Sequence, residues 1–310
     1  MIGRVWTGDP GRPHAEAVAI GGDRILAVGS EAEIARYSGR GTERLGHRRA
    51  AIVPGFIDAH LHFLALARRA LEVDCSSEAA RSVREILEKL GAAARAKPEG
   101  AWIRGFGYDE FFLAEKRPPQ VAELDRAAPY HPVRLLHRTG HAAVLNSLAF
   151  RLLDLPVEDV VYEPADRVRG TKSEDEVELA KLARAASERL LSAGITTFHD
   201  PTPDPEGEGA RVLRSLVERG TIRQRVRAYG SESGFSPHAS GGGDARFRQA
   251  GVKIVVTEKS DGGEIAERVA VADRSGAQVA IHAVEEGPLV IAIEALSRLG
   301  RARVKATRHR

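Results

Sequence analysis

From Gly194 onward the chain repeats one pattern, and that pattern leaves few folds open. Short runs that read as strands, 195–199, 224–229, 252–256 and 278–282, are separated by stretches that read as helices. The last helical stretch, 288–299, has Pro288 near its first turn and Gly300 at its end, the usual asymmetry of helix termini. Strands joined by helices run parallel, because each crossover returns the chain to the same end of the sheet. The expected class is therefore α/β.

A fifth run of the same kind lies far upstream. Residues 52–57 are short and apolar, read as a buried strand, and lead into Asp58-Ala59-His60-Leu61-His62. Two imidazoles spaced by one residue at a strand's mouth can share one metal ion, and imidazole is the usual nitrogen ligand for zinc. Between this run and the repeating part lies an excursion at about 64–193. In it Val83, Leu87, Leu90 and Ala94 recur at helical spacing, and 102–108 and 132–138 read as strands. Ser173 with Glu176 forms a capping-box pattern for a helix that Gly194 closes. Residues 1–51 hold shorter β-like runs at 4–7, 15–20 and 24–28, with a hairpin turn at Gly21-Gly22-Asp23. Gly241-Gly242-Gly243 is a turn; no Gly-Lys-Ser/Thr follows to make it a phosphate loop.

Composition removes several classes of function. No apolar run is long enough to span a membrane, and no signal-peptide pattern follows Met1. The single cysteine, Cys75, rules out an internal disulfide framework, fits a cytoplasmic protein, and reads as a small buried side chain. The net charge is +3, but five Lys and Arg residues fall in the last ten positions, so the basicity belongs to the tail. Nucleic acid is not an expected partner.

The run Val53-Pro54-Gly55-Phe56-Ile57-Asp58-Ala59-His60-Leu61-His62-Phe63 resembles the signature of the amidohydrolase superfamily, and longer stretches resemble amidohydrolase family 3, which includes N-substituted formamide deformylases. Those stretches are 105–110, 140–147, 194–200, 252–254 and 279–286, in family order. The resemblance implies a (β/α)8 TIM-type barrel of metal-dependent hydrolases, here incomplete, over 52–310. Residues 1–51 would then be a small N-terminal β-sandwich portion.

The resemblance also implies a site. His60 and His62 would bind a divalent ion, most simply zinc. Lys253 would be carboxylated and bridge two ions, and His282 would hold the second. The alternatives are that Lys253 is an ion-paired or solvent-reaching lysine and His282 a satisfied core histidine. His141, Tyr108 and Asp109 are expected to bind substrate. The alternatives are that His141 is a loop residue capping the next helix, and that Tyr108 and Asp109 lie at the surface. His199 and Asp200 end a strand and could support the ligands, although Asp200-Pro201 also reads as a plain turn. Glu285 and Glu286 are not taken as the general base; the resemblance puts that aspartate on a later strand, beyond residue 310. The loop Thr257 to Gly263 departs from the commonest family pattern and leaves the substrate open.

The expected activity is hydrolysis of an amide-like, non-peptide C–N bond in a small molecule. The rival readings are a deaminase of the same superfamily and an inactive, truncated or split-gene fragment. A closed barrel needs about eight strands, and the repeating pattern supplies fewer. The chain is thus expected to be the front part of a longer protein, catalytically incomplete alone, and to act as a homo-oligomer or with a complementing C-terminal chain.

Overall fold

The computed structural model describes residues 1–162, 176–204, 207–231 and 246–309. Strands β1 (Ile2–Trp6), β2 (His14–Gly21), β3 (Arg24–Gly29) and β4 (Gly46–Ile52) form a sheet in the order β3-β2-β1-β4. The β2–β3 hairpin and the β1–β2 pair are antiparallel, and β4 joins β1 in parallel. Alternate residues of β2, Ala17 and Ala19, bury against Ile34 of the helix Glu31–Ala35. Gly46 has φ +88°, and a Cβ there would lie 2.3 Å from the Ile2 carbonyl oxygen, so β4 can start only on glycine. The expected β-sandwich portion is, among the described residues, one sheet and one helix.

The run 52–57 is not one buried strand. Ile52 ends β4, Pro54 and Gly55 break the ladder, and β5 (Phe56–Asp58) starts a different sheet. Ile57 is 63% exposed. The apolar run misled because β5 lies at the edge of its sheet, with, among the described residues, a strand on one side only.

The excursion holds a sheet of its own. Strands β6 (Val73–Asp74), β7 (Ile103–Tyr108), β8 (Val133–His137), β9 (Ala142–Leu145) and β10 (Val161–Tyr162) lie in the order β10-β9-β8-β7-β6. The first three are parallel, and the last two join antiparallel. The helix Val83–Arg95 presents Val83, Ile86, Leu90 and Ala94 to Ile103, Leu135 and Cys75. Burial pushes the Cys75 thiol up to about 12, so this cysteine is an inert packing residue. The capping-box serine, Ser173, and the glycines at 241–243 lie outside the described residues.

The repeating pattern forms the third sheet. Strands β11 (Ile195–Asp200), β12 (Arg225–Gly230), β13 (Phe247–Val255) and β14 (Gln278–His282) run parallel with β5 in the order β14-β13-β12-β11-β5. Helices cover one face. Phe198, Val226 and Ala228 pack with Leu213, Leu216 and Val217, while Val252, Ile254, Val256 and Val279 pack with Ile265 and Val269. Side chains alternate across a strand, so His199, Lys253 and His282 face the other way. This is a parallel half-barrel, with helices on its outer side. Among the described residues no helix is long and apolar enough to cross a membrane.

Candidate functional site

His60 and His62 lie in a bend after β5, not on a strand, so strand periodicity is not what holds them together. The bend is sewn to the end of β11. The Leu61 amide donates to the His199 carbonyl at 2.9 Å, and the Phe63 amide donates to Asp200 Oδ2 at 3.0 Å. Phe63 stacks flat on Phe198, with centroids 4.9 Å apart. The His60 amide turns back to Asp58 Oδ1 at 3.0 Å. Gly55 permits the close entry to this turn, since a Cβ there would sit 2.2 Å from Thr196 Oγ1. The two imidazoles end up edge to face, with centroids 5.2 Å apart.

The opposite side of the site comes from β13 and β14. Their register pairs Lys253 with Ala280 and Val255 with His282, which places Lys253 and His282 on the same inner face. Lys253 is only 8% exposed, so it does not reach solvent. Beneath it, the Tyr229 hydroxyl of β12 passes over Gly251 to bond the Gln278 side chain of β14. His62 feels this surrounding charge. Desolvation lowers its pKa, Asp200 pulls the other way, and Lys253 and His282 add to the lowering.

The second sheet delivers His141. This residue follows Gly140, at φ +81°, in the turn between β8 and β9, and its ring stacks on His282 with centroids 5.5 Å apart. It does not cap the next helix; Asn146 does, accepting the Ala149 amide at 3.0 Å. Tyr108 and Asp109 are both buried, so their expected surface alternative does not hold. Tyr108 meets His137 edge to face. His137 Nδ1 lies 2.9 Å from Thr139 Oγ1, which accepts the His141 amide at 3.3 Å. Contacts thus run from Tyr108 through His137 and Thr139 to His141 and His282.

Asp109, Glu110 and His137 offer three ligand atoms within 4.8 Å of one another. Arg138 already bonds Asp109, however, and the Phe111 amide donates to it at 3.0 Å. Burial raises the Asp109 pKa, but these donors outweigh it and hold the carboxyl below its usual range. A guanidinium in that place competes with any cation, so the group reads as an ion-paired brace for the His141 turn.

Glu285 and Glu286 are exposed at the start of the helix Glu286–Ser297. Thr202 was not anticipated. Its hydroxyl lies 2.8 Å from His62 Nδ1 and donates to Asp200. Imidazoles are donors suited to a divalent ion, but among the described residues the ligand atoms of His60, His62 and His282 do not all come within 4.8 Å of one another; the group that does is Asp109, Glu110 and His137.

Residues 50–310 match the sequence profile of the amidohydrolase family. An N-substituted formamide deformylase of Arthrobacter pascens is 36% identical over 151 residues, which make up 49% of this chain and 28% of that protein. Protein LONG AFTER FAR-RED 3 of Arabidopsis thaliana is 24% identical over 91% of this chain and 58% of its own length. The chain therefore spans 28% to 58% of the length of these two relatives. Crystal structures of uncharacterized metal-dependent hydrolases from Pyrococcus furiosus and Pyrococcus horikoshii superpose with TM-scores of 0.69 and 0.71. Each covers 99% of this chain; this chain covers 74% and 72% of theirs, at 23% and 21% identity. At those identities the likeness speaks for the fold.

Proposed function

The chain belongs to the amidohydrolase family, and from that premise we propose that it serves metal-dependent hydrolysis of an amide-like, non-peptide C–N bond in a small molecule. The observation that supports this reading is the pairing of His60 and His62 in the bend after β5, with Lys253 and His282 on the inner face of β13 and β14 near enough for their charge to bear on His62. His60 and His62 would hold one divalent ion, zinc being the natural choice for imidazole ligands. His282 would serve a second, and Lys253, carboxylated at Nζ, would lie between them. When bound, the metal supplies a Lewis acid and a water acidified toward neutrality.

The chain's own residues do the positioning. Lys253 as an ammonium repels a cation; as a carbamate it offers two oxygens, and its near-complete burial shields that group from solvent. His141, stacked on His282, stands beside the ligands and is assigned to the substrate. Tyr108 and Asp109 act on substrate through the turn they brace, by way of His137 and Thr139. The formamide deformylase relative makes N-substituted formamides the first substrates to try.

The test is elemental analysis of the purified chain, paired with hydrolysis assays on N-substituted formamides and N-acyl amines. A divalent ion should copurify, and replacing His60 and His62 together by Ala should remove it. A metal content near zero that the double replacement leaves unchanged would overturn the reading.

A further inference from the structure

We infer that Thr202 is a positioning residue that sets the tautomer of His62, so that Nε2 rather than Nδ1 carries the lone pair offered to a ligand. The inference deepens the proposed function and rests on reading His62 as a metal ligand. It follows from counting protons. A threonine hydroxyl has one hydrogen to give. Among the described residues, Thr202 Oγ1 has two hydrogen-bonding neighbours, an oxygen of Asp200 and Nδ1 of His62 at 2.8 Å.

Asp200 is buried, and among the described residues it accepts the Phe63 amide on Oδ2 at 3.0 Å, and the Thr202 amide at 3.0 Å and the Thr202 hydroxyl on Oδ1. It is the acceptor of this cluster, so it takes the Thr202 hydrogen. The hydroxyl oxygen must then accept, and His62 Nδ1 must carry the N–H that it accepts. In a neutral imidazole the lone pair is left on Nε2. Free imidazole side chains favour the opposite tautomer, with N–H on Nε2, so the arrangement works against the default.

Asp200 does two jobs with one carboxyl group. Through Phe63 it holds the backbone that follows His62, and through Thr202 it holds the ring. Both ends of the ligand are thereby tied to β11, the strand beside β5. Support of this kind typically changes metal affinity about 10- to 100-fold when removed.

The experiment reads the tautomer directly, in metal-free protein, from the ring nitrogen shifts of 15N-labelled histidine at a pH above the ring's titration. His62 is assigned by its loss in His62→Ala. In the wild-type chain His62 should show a protonated Nδ1 and an unprotonated Nε2. Thr202→Val keeps the side-chain shape and removes the hydroxyl; it should shift His62 toward N–H on Nε2 and weaken zinc binding about 10- to 100-fold. Thr202→Ser should restore both. A wild-type ring with N–H on Nε2 overturns the inference whether or not any variant folds. So does a Thr202→Val protein with unchanged tautomer and zinc affinity. If the tautomer behaves as stated but no zinc binds, the positioning stands and the metal assignment falls, so the two failures are distinguishable.

Discussion

Lys253 is a buried lysine whose charge bears on a candidate metal ligand. An ammonium held at 8% exposure near His62 and His282 adds repulsion to the burial that already lowers the His62 pKa. Carboxylation reverses the sign of that interaction, turning a cation that repels metal into an anion that attracts it. Lys253→Ala should therefore lower divalent-ion uptake at least about 10-fold, and added short carboxylic acids should restore part of it. Isothermal titration with zinc checks both, and unchanged uptake in the variant would refute the role. The sequence exposed this residue because a lysine flanked by Val252 and Ile254 is conspicuous on a buried strand. It exposed His60, His62 and His282 through motifs carrying the family resemblance. It could not expose Thr202, whose partner is 140 positions away and whose hydroxyl has no local signature beyond an Asp-Pro-Thr turn.

Elements were legible where their own residues decide their structure. Parallel strands 278–282 and 195–200 follow from β-branched runs between helices, and Gly194, at φ +79°, closes the helix Glu176–Ser192 as its sequence suggests. The excursion's sheet was not legible as a sheet. Its outer strands have two residues each, Val73–Asp74 and Val161–Tyr162, and they exist because of partners far along the chain. One helix in that sheet's cover makes a sharp prediction. Gln120 and Glu123 form a capping box at Val121–Ala127, and Arg117 grips Glu123 with two bonds of 2.8 Å. The Arg117 bonds lower the Glu123 pKa to about 2, despite the opposing effect of burial. A depressed carboxyl stabilises the fold fully above its unfolded value, near 4.5, and loses that contribution as pH falls toward about 2. Glu123→Gln should cost roughly 1–2 kcal/mol at neutral pH, the scale of a lost cap and partly exposed ion pair. Its deficit should shrink as the wild type is acidified through that window. Urea unfolding at neutral pH and near pH 3 measures this, and a deficit independent of pH would refute it.

At the scale of the whole molecule the parallel sheet leaves two edges, β14 and β5, and apolar surface lies near both. On the first side the helix Glu286–Ser297 is apolar around most of its circumference. Ile291 and Ala295 pack inward, while Leu289, Val290 and Ile293 remain outside, Ile293 at 55% exposure. On the second side Val53, Phe56 and Ile57 are exposed together. The start of the β14 edge is already blunted: the Val279 amide donates to His309 Nδ1 at 3.0 Å, and the Gln278 side chain donates to the Arg308 carbonyl at 2.5 Å. Among the described residues no such contact covers the outer face of the helix beside it. A helix with an exposed apolar face is suited to burial in an assembly, and an exposed apolar patch next to a sheet edge drives association. The 310-residue chain should therefore self-associate through this side, with a light-scattering mass that rises with concentration. Ile293→Glu places a charge in the patch while touching no core contact, so its stability should change by less than about 0.5 kcal/mol. Its mass should fall toward the monomer's. A wild-type chain that stays monomeric at every concentration, or an Ile293→Glu chain that associates just as strongly, would show that this face is not the one that brings copies together.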